Sequence, residues 1–248
     1  GGGGVGRTIT ADAGAVSIAG TDGLVAIGTF GSGGAIPATG AGTRLMWYPK
    51  KAAFRAGYVN STQWDDASVG DYSTVGGGQN NIASGGDATV AGGASNTASG
   101  SKATVGGGNG STASGNHTTI GGGNGNTASS NYATVAGGNA NAASGSVSII
   151  GGGNNNAANG DYTTIGGGAS NTASAQYAAV GGGATNAAGG ISSAISGGES
   201  CRGYGAHAAV GGGYKSFASG QYATIGGGNT NTASSTGATV SGGGANNA

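Results

Sequence analysis

The sequence predicts an all-β protein: a parallel β-solenoid, or β-roll, of twelve fifteen-residue turns behind a separate N-terminal region. Three observations predict it. From Gly70 the chain divides without insertion into units that begin at positions 70, 85, 100, 115, 130, 145, 160, 175, 190, 205, 220 and 235, the last unit one residue short. The sixth position is β-branched in every unit: Val75, Val90, Val105, Ile120, Val135, Ile150, Ile165, Val180, Ile195, Val210, Ile225 and Val240. The eighth and ninth positions are glycine in all twelve. Self-similarity at a fixed short period is what a stack of one repeated supersecondary unit requires.

Composition supports an ordered, fibrous chain. There are 63 glycines among 248 residues and only 6% charged residues, against roughly 7% glycine and 25% charged in an average globular domain. Disordered chains are rich in charge and poor in β-branched residues, whereas here Val, Ile and Thr recur in register. Collagen needs glycine at every third residue, and a helix would lose ~1 kcal/mol at each interior glycine. The formal net charge is zero, so no long-range field draws the chain to nucleic acid or an anionic membrane. Neither is expected as a partner, and no apolar run approaches the ~20 residues of a membrane span.

The elements can be justified in chain order. Residues 1–69 hold both tryptophans, Trp47 and Trp64, and five of the eight basic residues: Arg7, Arg44, Lys50, Lys51 and Arg55. A solenoid needs its first open edge covered, so this region is expected to cap the array and align chains. Within it Trp47, Tyr48, Lys50, Lys51 and Arg55 form a candidate ligand patch, since aromatic faces and cationic donors suit a glycan. Residues 70–248 form the array. Positions three to six of a unit, "YTTI" at Tyr162–Ile165, predict a short strand with positions four and six inward and three and five outward. The Gly-Gly pair predicts a sharp corner. A second short strand is expected around "NTAS". Asn fills position twelve in nine units, where it either adopts a left-handed conformation or stacks into a ladder along the turns.

Such a turn buries one aliphatic side chain and several small ones. A single roll is thin, and its small residues and glycines suit close approach of several backbones, so the array is expected to associate with copies of itself as a homotrimer or filament. The pattern, as in "GQYATIGGGNTNTAS" from Gly220 to Ser234, resembles the head repeats of trimeric autotransporter adhesins, the YadA-like head. The resemblance covers roughly residues 70–248. It implies left-handed parallel β-rolls packed in threes, an extracellular or cell-surface location, and adhesion to host matrix or a cell-surface glycan. The stretch "GTRLMWYPKKAAFRAGYVNSTQWDDASVG", Gly42 to Gly70, resembles the segment that introduces such repeats in bacterial surface and phage-fibre-like proteins. A virion fibre shaft is therefore the alternative reading.

Catalytic constellations are not evident. His117 and His207 both occupy position three, six units apart, which at ~4.8 Å per turn separates them by about 29 Å. Cys201 stands at position twelve of the divergent unit "GISSAISGGESCRGY", with Arg202 expected on the opposite face, so a buried inert thiol is expected. Asp71, Asp87 and Asp161 are scattered among the units, unlike the one acidic ligand per turn of calcium-binding β-rolls. No enzyme activity, metal or cofactor is expected. A further alternative arises because position five is Thr in eight units, as in an ice-binding ladder, although position three mixes Tyr72, Asp87, Lys102, His117, Val147 and Gly237.

Overall fold

A computed structural model describes residues 26–248. The first 25 residues, with Arg7 and the start of the expected capping region, lie outside the described residues. The first strands among the described residues are an antiparallel pair, β1 (Gly42–Tyr48) and β2 (Ala53–Val59), in which Trp47 faces Phe54 and Leu45 faces Ala56. Two-residue strands then alternate between two sheets, beginning with β3 (Thr74–Val75) and β4 (Ile82–Ala83) and ending with β24 (Thr232–Ala233) and β25 (Thr239–Val240). The first sheet has fourteen strands, β1 and β2 followed by twelve strands at positions five and six of the units. The second has eleven strands, at positions thirteen and fourteen. All pairs within the array are parallel and advance by fifteen residues, such as Ile165 on Val180 and Ala173 on Ala188.

The fold is thus a parallel β-solenoid of fifteen-residue coils. Eleven coils are complete on both sides, and the second side of the twelfth is reduced to a bridge between Thr232 and Asn247. The core follows the sequence pattern. The Val and Ile side chains of position six are buried, as are, in the first eleven coils, the alanines of position fourteen and the small residues of position four, among them Ala133, Ser148 and Thr163. Each strand is only two residues long because each coil turns three times in fifteen residues.

Position three departs from the predicted strand. Outside glycine, Tyr72, Lys102, His117, Val147, Tyr162 and their equivalents have φ of 54–60°, and the residues of position eleven have φ of 51–58°. The reason is a reversal of hydrogen-bond direction. Positions five, seven, ten and thirteen donate forward, as in Thr164 N–H to the Ala178 carbonyl (3.2 Å) and Gly166 N–H to Val180 (2.9 Å). Positions three and eleven donate backward, Tyr162 to Ser146 (2.8 Å) and Ser170 to Asn154 (2.9 Å). A left-handed residue turns its amide over relative to its neighbours, so the cost of that conformation, ~1 kcal/mol or more for a side chain with Cβ, is set against a bond that satisfies an otherwise orphaned N–H.

Asn at position twelve is not the left-handed residue. Its side chain is buried and spans two coils. The Asn156 Nδ2 group donates to Gly152 in its own coil and to Gly168 in the next, both at 2.9 Å, and its Oδ1 accepts the Asn171 N–H at 2.9 Å. Glycine at position nine makes this approach possible: at Gly153, where φ is +91°, an added Cβ would stand 2.1 Å from the Gly168 oxygen and 2.8 Å from Asn156 Nδ2. A second asparagine column runs outside at position ten, where Asn124, Asn139 and Asn154 each donate Nδ2 to the Oδ1 of the preceding coil at 2.9–3.3 Å.

Two expected outcomes separate these columns. Asn156→Ala removes three buried hydrogen bonds and should cost roughly 2–4 kcal/mol, whereas Asn154→Ala on the surface should change stability by no more than ~0.5 kcal/mol. Equal effects in chemical denaturation would contradict the assignment of the inner column. Ile165→Asp places an unpaired carboxylate in the dry interior and should cost several kcal/mol, read as loss of the β signal in circular dichroism at temperatures where the parent chain is folded.

Candidate interaction surfaces

The N-terminal residues singled out as a ligand patch do not form one surface. Arg55 pairs in register with Val75 and so stands at the head of the inner column, fully buried. Its guanidinium donates to the Phe54 and Ser73 carbonyls (both 2.8 Å), to Ser73 Oγ (2.7 Å) and to the Ala83 carbonyl (2.8 Å). Burial lowers its pKa to about 10, which leaves it charged at neutral pH. Tyr48 is buried too, its hydroxyl donating to Asp66 Oδ1 at 2.9 Å. Lys51 donates to the Asp66 and Val69 carbonyls and pairs with Asp66 Oδ1 at 3.4 Å. Of the five, Trp47 is exposed and Lys50 half-exposed, the latter beside a small cleft shared with Tyr48, Pro37 and Pro49.

These side chains instead complete the hydrogen bonds of the first coil. In the array each coil receives donors from the coil before it. Coil one receives Phe54 N–H at Ser73 (3.1 Å), Tyr58 N–H at Gly78 (2.9 Å), Trp64 Nε1–H at Asn81 (2.9 Å) and Arg55 at Ala83, while its own Tyr72 and Asn80 amides donate to Lys51 and Tyr58. Trp64 is buried in the process. Two side chains thus supplement the backbone here, where only the Gly70 N–H (3.0 Å) and a Val69–Ala83 bridge reach the second side of coil one.

The outer surface of the array is mostly small and neutral. Each sheet face carries one outward column per strand, at positions five and thirteen, because position seven is Gly, Ala or Ser. Position three forms an aromatic ridge. Its rings stack in pairs, His117 on Tyr132, Tyr162 on Tyr177 and His207 on Tyr222, with centroids 5.0–5.2 Å apart. The pairs recur every three coils. The two histidines stay six coils apart, each stacked on a tyrosine. Among the described residues no three His, Cys, Asp or Glu side chains come together.

Coils nine and ten depart from this plain surface. Cys201 and Ser216 replace the inner Asn in consecutive coils. The chain of Asn Oδ1 to N–H links runs from Asn81 to Cys201, with Ser111 Oγ standing in for the Asn oxygen toward the Asn126 N–H at 3.3 Å; the Cys201 N–H still bonds to Asn186, and the chain resumes between Asn231 and Asn246. Cys201 Sγ makes only long contacts of 3.5–3.8 Å to carbonyls, and the buried Ser216 Oγ has no partner. Outside this defect, Ser200, Arg202, Lys215, Ser216 and Phe217 line an open cavity of about 320 Å³. Tyr204 meets Phe217 edge to face at 5.7 Å, and Lys215 Nζ lies 4.8 Å above the Tyr214 ring. The cysteine itself is buried beneath this surface, as expected, and Arg202 points outward.

No protein-family model matches the chain, and no curated protein sequence is significantly similar to it. The interrupted inner column yields an expected outcome. Cys201→Asn restores the missing amide and should raise stability by roughly 1–3 kcal/mol. Gly203→Ala restores the alanine of position fourteen, with its Cβ at an ordinary 3.6 Å from Ile195 and Ser193, and should add ~0.5–1 kcal/mol. Both are read in chemical denaturation, and a loss in either would contradict the packing described.

Proposed function

We propose that this chain is a segment of an extracellular fibre, assembled as a homotrimer, that serves surface attachment or filament formation and carries no enzymatic activity of its own. The observation that carries the reading is glycine at position eight. It is present in all twelve units, yet at Gly77, Gly92, Gly122, Gly137, Gly167, Gly182, Gly197, Gly227 and Gly242 an added Cβ would meet nothing within 4 Å, and φ is not positive. At Gly107, Gly152 and Gly212 a φ of +148° to +155° itself favours glycine, but in the other nine units nothing inside the coil demands it. Close approach of a neighbouring chain does, because a missing Cβ lets backbones pack at short range.

Two further features support the reading. The array is long, neutral and short of apolar core, so lateral packing would bury surface that one roll leaves wet. Residues 42–69 satisfy the hydrogen-bonding groups of the first coil, which suits a cap that blocks uncontrolled edge addition. The resemblance of "GQYATIGGGNTNTAS" to trimeric adhesin heads points the same way. A virion fibre shaft is the same physical object on another particle. An ice-binding face is less well supported, because each sheet presents a single outward column interrupted by Ile149, Ala179, Ala194 and Ala209 on the first sheet.

The expected result in sedimentation equilibrium is a particle of three times the 22.5 kDa chain mass. Gly167→Val combined with Gly182→Val should leave the β signal of the coil intact and dissociate the particle. A parent chain that sediments as a folded monomer, or a trimer indifferent to the double substitution, would overturn the proposal.

A further inference from the structure

We propose that coils nine and ten carry a binding site for an acidic sugar, with the carboxylate held by Arg202 and the apolar sugar face laid on Phe217. The first argument is where the array places its large side chains. Across positions ten to fifteen, every charged or aromatic residue of the twelve units stands in these two coils: Glu199, Arg202, Tyr204, Tyr214, Lys215 and Phe217. Elsewhere these positions hold only small or amide side chains and Ile82. The concentration does not strengthen the coil, since it coincides with loss of the buried Asn and with glycine in place of alanine at Gly203.

The second argument is that the surrounding coil is adapted to it. At Gly189, in the coil before, position fifteen is glycine where the other complete units have Ser, Asn or Tyr204 itself. A Cβ on Gly189 would stand 2.7 Å from the Tyr204 ring. Gly189 therefore leaves the space in which Tyr204 sits, and Tyr204 in turn braces Phe217 edge to face. Arg202 and Phe217 are in-register neighbours on adjacent strands, and with Ser216 both line the same cavity.

The third argument concerns the class of ligand. A peptide cannot add here as a strand, because the backbone is already bonded on both sides: Arg202 N–H to Ser216 (2.8 Å), Phe217 N–H to Asn231 (2.8 Å), and Ala187 N–H to the Cys201 carbonyl (2.9 Å). Recognition must come from side chains. Arg202 is exposed and, among the described residues, engages no carboxylate, which leaves its planar fork free for a bidentate anion. Lys215 is drawn toward Tyr214 and the field of Glu199, which holds its ammonium above the ordinary lysine pKa. Arg202 is thus the uncompensated cation of the group. Half-buried Phe217 offers a face for the C–H side of a sugar ring, and the Ser200 hydroxyl, which shares one hydrogen bond with Thr185 Oγ1 at 2.9 Å, keeps capacity for a ring hydroxyl. The cavity, at about 320 Å³, is at the small end of the ~300–1,000 Å³ range of ligand sites, which suits one or two sugar rings.

The site is complete within one chain. It deepens the attachment reading above and rests on it only for the ligand being part of a surface polymer. The test is titration of the full chain with glucuronic acid and N-acetylneuraminic acid, followed by nuclear magnetic resonance, with glucose and acetate as controls and sedimentation mass recorded throughout. Saturable shifts at Ser200, Lys215 and Phe217 are expected from at least one acidic sugar, with both controls at least about tenfold weaker. Arg202→Thr and Phe217→Thr, each of which installs the side chain common at position thirteen, should each weaken binding by about tenfold or more without lowering the unfolding temperature. The proposal is overturned by equal binding of glucose or acetate, by no saturable binding of either acid, by unchanged affinity in both variants, or by a change of sedimentation mass in Arg202→Thr, which would make the cluster a contact between chains. A trimer that binds neither acid removes the site and leaves the fibre; a monomer that binds one supports the site and removes the trimer.

Discussion

Each asparagine at position twelve before the last coil holds two coils together from the inside, donating to a glycine carbonyl in its own coil and another in the next while accepting the amide of its successor. The rest of the structure depends on this. A fifteen-residue coil turns three times and leaves many backbone groups facing its interior, where buried polar groups without partners are costly. An aliphatic side chain cannot serve them, and the apolar column at position six supplies only one Val or Ile per coil. The amide, with two donors and an acceptor, serves a corner that no strand reaches. It also fixes glycine at position nine, since any Cβ there would stand between the amide and its carbonyl.

The same accounting explains the start of the stack. A first coil has acceptors that no earlier coil can serve, and β2 serves those of the first sheet with its own backbone. On the second sheet only a bridge from Val69 precedes β4, and two side chains, Trp64 and Arg55, join the Gly70 N–H in reaching the Asn81 and Ala83 carbonyls. A guanidinium buried at the head of an apolar column looks anomalous until those bonds are counted. Charge-assisted donors offset part of its desolvation, and burial still lowers its pKa.

What could be read from the sequence follows from which constraints act through side-chain type. The position-six column, the alanines of position fourteen and the glycine corner were legible because shape and Cβ clash select those residues directly. The left-handed residues at positions three and eleven were not, because the constraint there is the direction of an amide between coils, and Tyr, His, Lys, Val, Thr and Asn all meet it. Tyr162 therefore passed for a strand residue when it lies at a corner. The basic and aromatic residues of 47–55 suggested an exposed patch on composition alone; hydrogen-bonding demand at the stack end pulls Tyr48 and Arg55 inside. The cluster at coils nine and ten left a signal, the divergent "ESCRGY" and "YKSF" blocks. Its meaning needed the register that sets Arg202 beside Phe217 and Gly189 beneath Tyr204.

The surface and the interior are thus coupled at one place: where the wall gains large side chains, the inner amide column is broken, and the coil there is held by fewer bonds. Residue-resolved hydrogen exchange on the intact chain tests most directly that the inner amides hold the stack together. Slow exchange is predicted for the position-twelve amides from Asn96 to Cys201, with a local drop in protection at Ser216 and Asn231. Fast exchange of Asn156 or Asn171, or protection that passes through Ser216 undiminished, would contradict it.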